Sequence, residues 1–472
     1  MAQAFVPGGS TLVSSLSADS EVLEKSKAVM EPEELAKRIV STLQCCGYQA
    51  LLVGGCVRDL LLGCHPKDFD VSTDAPPPRL LELFPNSGQV GAHFGVVLVR
   101  EGSHHVEVAT FRSEHAYTDG RRPGSVRFET DPREDVRRRD FTINGLMMDV
   151  ETGEVLDYVG GRADLANRLV RAIGDPEVRF REDHLRMVRA VRFAARLDFE
   201  IEPATFQAIR RNHSLIRSVS AERARDELVR ILTEGGARRG FELLDASGLL
   251  DELLPEIAAM KGVEQPPEFH PEGDVWVHTL LLLEKMKQPS PTLAWGALLH
   301  DVGKPGTFRV ADRIRFDGHV EEGVRLAHGI FHRLRFSGDD AEQVEALIAN
   351  HMRFKDAPRM KESTLKRFLR LSRFEEHLEL HRLDCLASHG HLENYELARQ
   401  KLQELTVEEL KPKPLVTGRD LIVEGYKPGP QFSQMLAAVE DAQLEGRIRS
   451  REEGLELVRG LFPNPSLQLP GA

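Results

Sequence analysis

Residues Leu51–Thr73 read LLVGGCVRDLLLGCHPKDFDVST. The apolar residues before Gly54-Gly55 form a short buried strand running into a turn. Without side chains there, a phosphate can approach the backbone N–H groups at the start of the next helix. Arg58 lies one turn further on and can fork onto phosphate oxygens. Asp68-Phe69-Asp70 sits where a second strand begins. Residues two apart on a strand face the same way, so the carboxylates converge while Phe69 turns into the core. Such a pair suits Mg2+, which takes oxygen ligands and is commonly completed by substrate phosphates. In two-metal sites the ions lie about 3.5–4 Å apart and stabilise both attacking and leaving oxygens. Glu107, in His105-Val106-Glu107-Val108, is the candidate third carboxylate, opposing the valines across the pleat. A Gly-Gly turn is common, an isolated Asp-x-Asp is often a cap, and Glu107 alone reads as a solvated strand residue. Their order around short strands is what points to phosphate chemistry.

Outward from this stretch, EPEELAKRIVSTLQCCG (Glu31–Gly47) reads as an amphipathic helix ending at a glycine. Apolar or alternating runs recur at DFDVST, FGVVLVR, HHVEVATFR and INGLMMDV, with helical PPRLLELF between them. Residues 48–160 therefore read as a mixed α/β domain. After Gly161 the strand signals stop. Helices are expected from Glu182 to Leu197, from Ala221 to Thr233, and through most of the chain to about residue 405. Lys411-Pro412-Lys413-Pro414 marks a linker before a small helical tail. Residues 1–30 are small, polar and unpatterned, a mobile leader.

The length of 472 residues implies two to four domains. Hydrophobic residues make up 41% and charged residues 29%, the balance of a soluble globular protein. No apolar run spans a bilayer, and the N-terminus lacks the basic and apolar regions of a signal peptide, so a cytoplasmic protein with no membrane partner is expected. Cys45, Cys46, Cys56, Cys64 and Cys385 fit neither a disulfide framework nor a zinc finger. The net charge of -12 argues against wholesale nucleic-acid binding, but nucleic acid feels the local field. Arginines concentrate between Arg121 and Arg139 and between Arg168 and Arg196. With acidic residues interspersed, that clustering also fits a salt-bridged surface.

The opening stretch resembles the signature of the polymerase-β-like nucleotidyltransferases, and its GGxVRD form resembles the branch of bacterial CCA-adding enzymes and poly(A) polymerases. Arg137–Asn144 (RRRDFTIN) matches that family's RRDFTIN block. The resemblance implies that Arg139 contacts the nucleotide and Asp140 reaches its ribose. Asp157–Asp164 (DYVGGRAD) resembles the short hinge after the family's head, and also reads as a plain Gly-Gly turn. Glu182-Asp183-His184-Leu185-Arg186, continued by Arg189 and Arg192, matches EDxxRxxRxxR. A helix carrying these side chains at steps of three would present one slowly turning stripe. Taken alone, that is an i,i+3 ion pair worth a few tenths of a kcal/mol. In the family this helix acts as an amino-acid template, so Asp183 and Arg186 would read the incoming base, and Arg189 and Arg192 would bind base or phosphates. Glu222–Leu228 (ERARDEL) matches the next block, ERxRxEL, and supports the neck helices. Phe111–Pro123 resembles the flexible loop used in switching from C to A. Its presence disfavours CC-only addition and leaves full CCA, A-only and poly(A) addition open.

Further on, His278 lies in a helical stretch, His300-Asp301 ends the apolar helix of WGALLHDVGKP, and His319, His351 and Asp384 fall on later helical segments. Imidazoles with carboxylates suit divalent transition metals, which can generate a hydroxide for phosphoester hydrolysis. Any one of these histidines reads first as structural. Together they resemble HD-superfamily phosphohydrolases, in which H…HD…D ligates metal; that implies His278, His300, Asp301 and Asp384 as ligands, with His319 and His351 for a second ion.

The expected architecture is α+β: a small polymerase-β-like head (31–160), an all-α neck (161–250), an HD-type metal domain (251–405) and C-terminal helices (406–472). The resemblance implies Mg2+ in the head, a transition metal in the HD domain, and tRNA, CTP and ATP as partners. Nothing in the sequence selects an oligomeric state. An HD phosphohydrolase that uses its head merely to bind RNA is the rival of a different class, and the intact Asp68-x-Asp70 disfavours it.

Overall fold

The computed structural model describes residues 31–89, 95–117, 120–121, 123–268 and 270–463. The expected leader, and Thr118, Asp119 and Arg122 of the loop segment, lie outside the described residues. The chain divides into two compact units, one ending at Asp183 and the other beginning at His184.

In the first unit, helix α1 (Pro32–Cys45) buries Leu35, Ala36, Ile39, Val40 and Leu43, a single stripe at helical spacing. It packs on a sheet whose strands are β1 (Ala50–Val53), β2 (Asp70–Thr73), β3 (Ser87–Gln89), β4 (Val96–Glu101), β5 (His104–Thr110), β8 (Met147–Met148) and β9 (Val155–Leu156). Their order is β3-β4-β5-β2-β1-β8-β9. Only β2 and β5 pair in parallel among the registered neighbours. Helix α2 (Gly55–Leu61) follows β1 directly, and α3 (Pro77–Leu83) follows β2. Away from α1, Leu51, Val53 and Met147 pack with Phe111, Val136 and Ile173. Leu51 registers with Ser72, so Ser72 and Asp70 project from this second face.

The four longer strands fall within the apolar runs DFDVST, FGVVLVR, HHVEVATFR and the residues before Gly54. Strands β3 and β9 are too short to carry an alternation. The segment resembling a flexible loop is a β-ribbon where described: β6 (Arg112–Tyr117) pairs with β7 (Pro123–Phe128). The expected strand through Arg112 breaks at Phe111, which is fully buried, and the chain turns there from the sheet into the ribbon.

The Gly160-Gly161 turn lies inside the first unit and is tightly held. Gly160 has φ +79°, and a Cβ on Gly161 would stand 2.2 Å from the Thr142 carbonyl oxygen. The Asp157 carboxylate accepts from the backbone N–H groups of Val159, Gly161 and Arg162. Helices α4 (Pro132–Arg137), α5 (Gly161–Ala166) and α6 (Pro176–Glu182) complete this unit.

The second unit begins with α7 (Arg186–Leu197) and is almost wholly helical among the described residues, apart from the two-residue strand Glu200–Ile201 and a short hairpin pairing Arg309–Val310 with Ile314–Arg315. Helices Ala221–Thr233 and Ala237–Ser247 pack on α7. Helices Val275–Lys285, Pro291–Leu299, His319–Leu334, Gly338–Asn350 and Phe374–Ala387 then surround a histidine-rich centre. A terminal helical cluster has its own core of Val416, Leu421, Met435, Val439 and Val458. Arg367 ties it to the rest through Glu440 at 2.6 Å, and Lys366 through the Leu444 carbonyl at 2.7 Å. No helix among the described residues is long and apolar enough to cross a membrane. All five cysteines are free thiols.

Candidate active site and metal centre

In the head, Asp70 is the first residue of β2 and registers directly with Glu107 of β5, so both carboxylates stand on one face. Asp68 is exposed just before the strand, and Phe69 between them is buried, 2% exposed. Burial pushes the Asp70 carboxyl up to about 6, and the neighbouring Glu107 and Asp68 charges add to the rise while Arg139 opposes it. Two like charges around one half-buried carboxyl form a site that a cation would relieve.

Arg139 lies between the glycine turn and the carboxylate strand. It donates to Ser72 Oγ at 3.2 Å and to Asp135 Oδ2 at 3.0 Å. Gly54 has φ +82°, and a Cβ there would come within 3.3 Å of the Arg139 guanidinium. The left-handed backbone is what calls for glycine there, and a side chain would also press on the guanidinium. Asp135 is fully buried and holds Arg138 as well as Arg139, and Arg138 reaches Glu114 of β6. The turn and the RRD block are thus parts of one polar framework.

Arg58 differs from its expected role. It is 2% exposed and committed to Asp59 Oδ1 and, at 2.7 Å, to Asn144 Oδ1. Asn144 in turn donates to Asp140 Oδ1 at 3.2 Å. Arg58 therefore braces the Gly54-Gly55 turn against the RRDFTIN block, because a buried guanidinium needs fixed acceptors. Asp140 is largely buried and also accepts from the Phe141 N–H.

The template motif is not one continuous helix. Glu182 ends α6, Asp183 caps it in extended conformation, and α7 starts at Arg186. Asp183 closes the first compact unit while Arg186, Arg189 and Arg192 belong to the second. Arg192 is buried and donates to Glu227 Oε2 at 2.6 Å and Glu234 Oε2 at 3.1 Å, with Phe193 beneath it at 4.2 Å. Arg189 reaches the same Glu227 at 3.5 Å. The last arginines of the motif are thus held by the ERARDEL helix, a pairing that sequence spacing could not reveal.

The second unit gathers all six expected metal ligands. His278 Nε2 lies 3.3 Å from His300 Nε2 and 3.1 Å from Asp384 Oδ1. His319 Nε2 lies 3.4 Å from His351 Nε2. Asp301 stands between the pairs, with Oδ2 3.1 Å from His300 Nε2 and Oδ1 3.9 Å from both His319 and His351. Two overlapping ligand groups, His278–His300–Asp301 and Asp301–His319–His351, therefore share one carboxylate.

Every one of these imidazoles is anchored from behind. His300, His319 and His351 turn Nδ1 to the carbonyls of Ala297, Phe316 and Ile348, and His278 turns Nδ1 to Glu272 at 2.6 Å. This network assigns a proton to Nδ1 of each ring and turns every Nε2 into the centre, where His278 Nε2 also faces the Asp384 carboxylate. Facing lone pairs want a proton or a cation between them, so the donor set fits a divalent metal. Burial works against a charged His278, but Asp384 and Glu272 outweigh it and hold that imidazole up at about 9, whereas burial pushes His351 down to about 4. Lys304 donates to Asp301 Oδ2 and to Gln265, both at 2.6 Å. The centre opens on a cleft of about 860 Å3. Glu272 and Gln265 went unnoticed in the sequence, because nothing distinguishes them from other loop residues.

Comparison with known families matches residues 50–171 to the poly A polymerase head domain, 198–261 to a probable RNA and SrmB-binding site of polymerase A, and 274–387 to the HD domain. These three in series define a polymerase-type nucleotidyltransferase head joined to an HD domain. The CCA-adding enzyme of Streptococcus thermophilus is 31% identical over 432 residues, 90% of this chain and 96% of that protein. The chain belongs to the CCA-adding enzyme family. The enzyme of Lactobacillus helveticus is 43% identical over 255 residues, 53% of this chain, and the match spans 63% of that relative's length. The fold is similar to the Bacillus stearothermophilus CCA-adding enzyme solved in complex with CTP, with a TM-score of 0.70 and 28% identity, covering 91% of this chain and 98% of that one.

Proposed function

We propose that this protein adds CCA to the 3′ end of tRNA from CTP and ATP, without a nucleic-acid template, in the cytoplasm. The observation that carries this reading is the registered pair Asp70 and Glu107, with Arg139 set between Ser72 and the Gly54 turn. Asp68, Asp70 and Glu107 would hold Mg2+, which supplies charge neutralisation at the attacking and leaving oxygens. Gly54 and Gly55 admit the triphosphate to backbone N–H groups, and Arg139 stabilises charge on the transferring phosphates. Asp140 lies beside Arg139 as the ribose contact, while Arg58 fixes the turn from within. The terminal 3′-hydroxyl of the RNA attacks the α-phosphorus and pyrophosphate leaves. Asp183 and Arg186 select the base with directional hydrogen bonds, Arg189 follows one turn on, and Arg192, buried against Glu227 and Glu234, holds that helix in place. In this reading the chain runs from head to neck at about residue 161, to the HD domain at 251 and to the tail at 406.

The test uses tRNAs lacking CCA, CA or A, each supplied with labelled CTP or ATP separately. Stepwise addition of C, C and A, then arrest, supports the reading. Addition of A alone, or of long A tracts to unrelated primers, would replace it with A-only addition or poly(A) polymerisation. A second activity is favoured by the six-residue cluster. His278, His300, Asp301 and Asp384, with His319 and His351, would hold transition metal and hydrolyse a phosphoester.

A further inference from the structure

The two halves of the histidine centre are not chemically equal. His319 and His351 rest their Nδ1 atoms on neutral carbonyl oxygens, of Phe316 at 2.9 Å and Ile348 at 2.7 Å, and share only Asp301 as a carboxylate. The other half has His278, His300, Asp301 and Asp384, and a third carboxylate stands behind it. Glu272 Oε1 accepts from His278 Nδ1 at 2.6 Å and from His270 Nδ1 at 2.9 Å. Its side chain is 5% exposed, and that of His278 is fully buried. The loop that carries Glu272 is pinned: the Gly273 carbonyl accepts from Gln265 N–H at 2.8 Å, and Val275 N–H donates to the Val263 carbonyl at 3.0 Å. Gln265 also receives the Lys304 ammonium that touches Asp301.

We infer that the His278 half of the centre takes up its ion first and the His319 half second, and that Glu272 is the positioning residue that sets this order. The inference rests on the reading of the HD centre as a two-metal site. A carboxylate behind a ligating imidazole fixes its tautomer and raises its basicity toward the metal, and removing such a partner costs about 10–100-fold in affinity. A backbone carbonyl fixes the tautomer without adding charge. Lys304 offsets one negative charge at Asp301, the carboxylate common to both halves, so Asp384 and Glu272 remain as the excess on the His278 side. The first ion would then lower the affinity of the second by charge repulsion through Asp301, widening the gap.

The experiment is calorimetric titration of the full chain with Mn2+ after chelator treatment, in a D68A/D70A background so that the head contributes no metal site. Two separable events are expected, the tighter weakened about 10–100-fold by Glu272→Gln. The weaker event should be abolished by His319→Ala and left in place by Glu272→Gln. Glutamine keeps the oxygen that accepts from the two Nδ1–H groups and removes the charge, exchanging the buried second oxygen for an amide nitrogen, and the unchanged weak event in the same titration excludes general misfolding. Nucleotide addition by the single variant Glu272→Gln should match the parent and gives a second check of the fold. Two events of equal affinity, or a tight event indifferent to Glu272→Gln, would overturn the ordering while leaving the two-metal reading intact. A third equivalent lost in Glu272→Gln would make Glu272 a ligand and overturn its positioning role. Fewer than two equivalents in the unsubstituted centre would overturn the two-metal reading and the inference together.

Discussion

Asp70 and Glu107 occupy registered positions on parallel strands β2 and β5, so two carboxylates some forty residues apart in the chain share one face of the sheet. Asp68 precedes the strand, and its charge adds to the crowding that raises the Asp70 carboxyl. Removing any member should weaken metal retention more than folding. Asp68→Ala and Asp70→Ala are each expected to cost several kcal/mol of transition-state stabilisation, at least about 100-fold in addition rate. Glu107→Gln should cost less, because an amide oxygen still offers one neutral ligand. Robust Mg2+-dependent addition by folded Asp68→Ala and Asp70→Ala proteins would defeat the assignment.

The raised Asp70 carboxyl also sets a pH dependence. Its value is about 6 in the folded chain against 3.8 ordinarily. Without metal, this group favours the folded state fully below about 4, and that contribution is lost as the pH rises through 6. Metal reverses the trend, since it binds the ionised form. Melting curves at pH 4 to 7 should therefore show a Mg2+-dependent stabilisation that grows toward pH 7. At sub-saturating Mg2+, addition should fall by about tenfold per unit below 6, and raising Mg2+ should move that fall to lower pH. A Mg2+ effect independent of pH in this window would remove Asp70 from the ion.

Base selection should reside in the residues on either side of the break between α6 and α7. Asp183→Ala and Arg186→Ala are each expected to lose about 1–3 kcal/mol of discrimination for CTP and ATP against UTP and GTP. Metal-dependent chemistry with the poorer substrates should persist. Steady-state constants for all four nucleotides measure this, and unaltered ratios would end the template reading.

What the sequence made legible follows from local order. The Gly-Gly turn, the Asp-x-Asp pair and the helix bearing His300-Asp301 each announce themselves within a few residues, where the periods of strand and helix apply. Arg58 shows the limit. Its sequence neighbours place it beside the phosphate turn, but its direction is set by Asn144, 86 residues away. Glu182–Arg186 shows another. The spacing suits a helix, yet Asp183 is extended, so a helix end falls inside the motif. Glu272 was invisible because carboxylate support of a histidine is a tertiary contact with no spacing rule.

The ERARDEL helix should matter for stability through Glu227. Its carboxylate meets the buried Arg192 at 2.6 Å and also reaches Arg189. Glu227→Gln leaves a buried guanidinium short of its counter-charge, a change that costs about 3–5 kcal/mol when no partner remains. Glu234 retains one contact with Arg192 at 3.1 Å, so a loss near the lower bound is expected. Urea unfolding should show a lower midpoint with little change in slope. An unchanged midpoint would mean that water or Glu234 compensates fully.

The two centres should be separable by substitution. The head carboxylates and the His278–His300–Asp301–Asp384 cluster fall in different compact units, each with a full set of groups for its own chemistry. His300→Ala removes an imidazole that faces His278 and Asp301, and with it one of two nitrogen ligands on that side. Asp301→Ala removes the carboxylate shared by both halves and leaves Lys304 without its acceptor there, so it should be the more destabilising of the two. Both variants are expected to lose bound transition metal and any phosphodiesterase or phosphatase activity, while CCA addition with Mg2+ is largely retained, because the head carboxylates lie in the other compact unit. Metal analysis, hydrolysis of a chromogenic phosphodiester and tRNA addition, run in parallel on one preparation, decide it. Loss of addition by a folded His300→Ala protein with head Mg2+ binding intact would show that the two centres work as one coupled machine, and undiminished hydrolysis by both variants would take the HD pair out of the reaction.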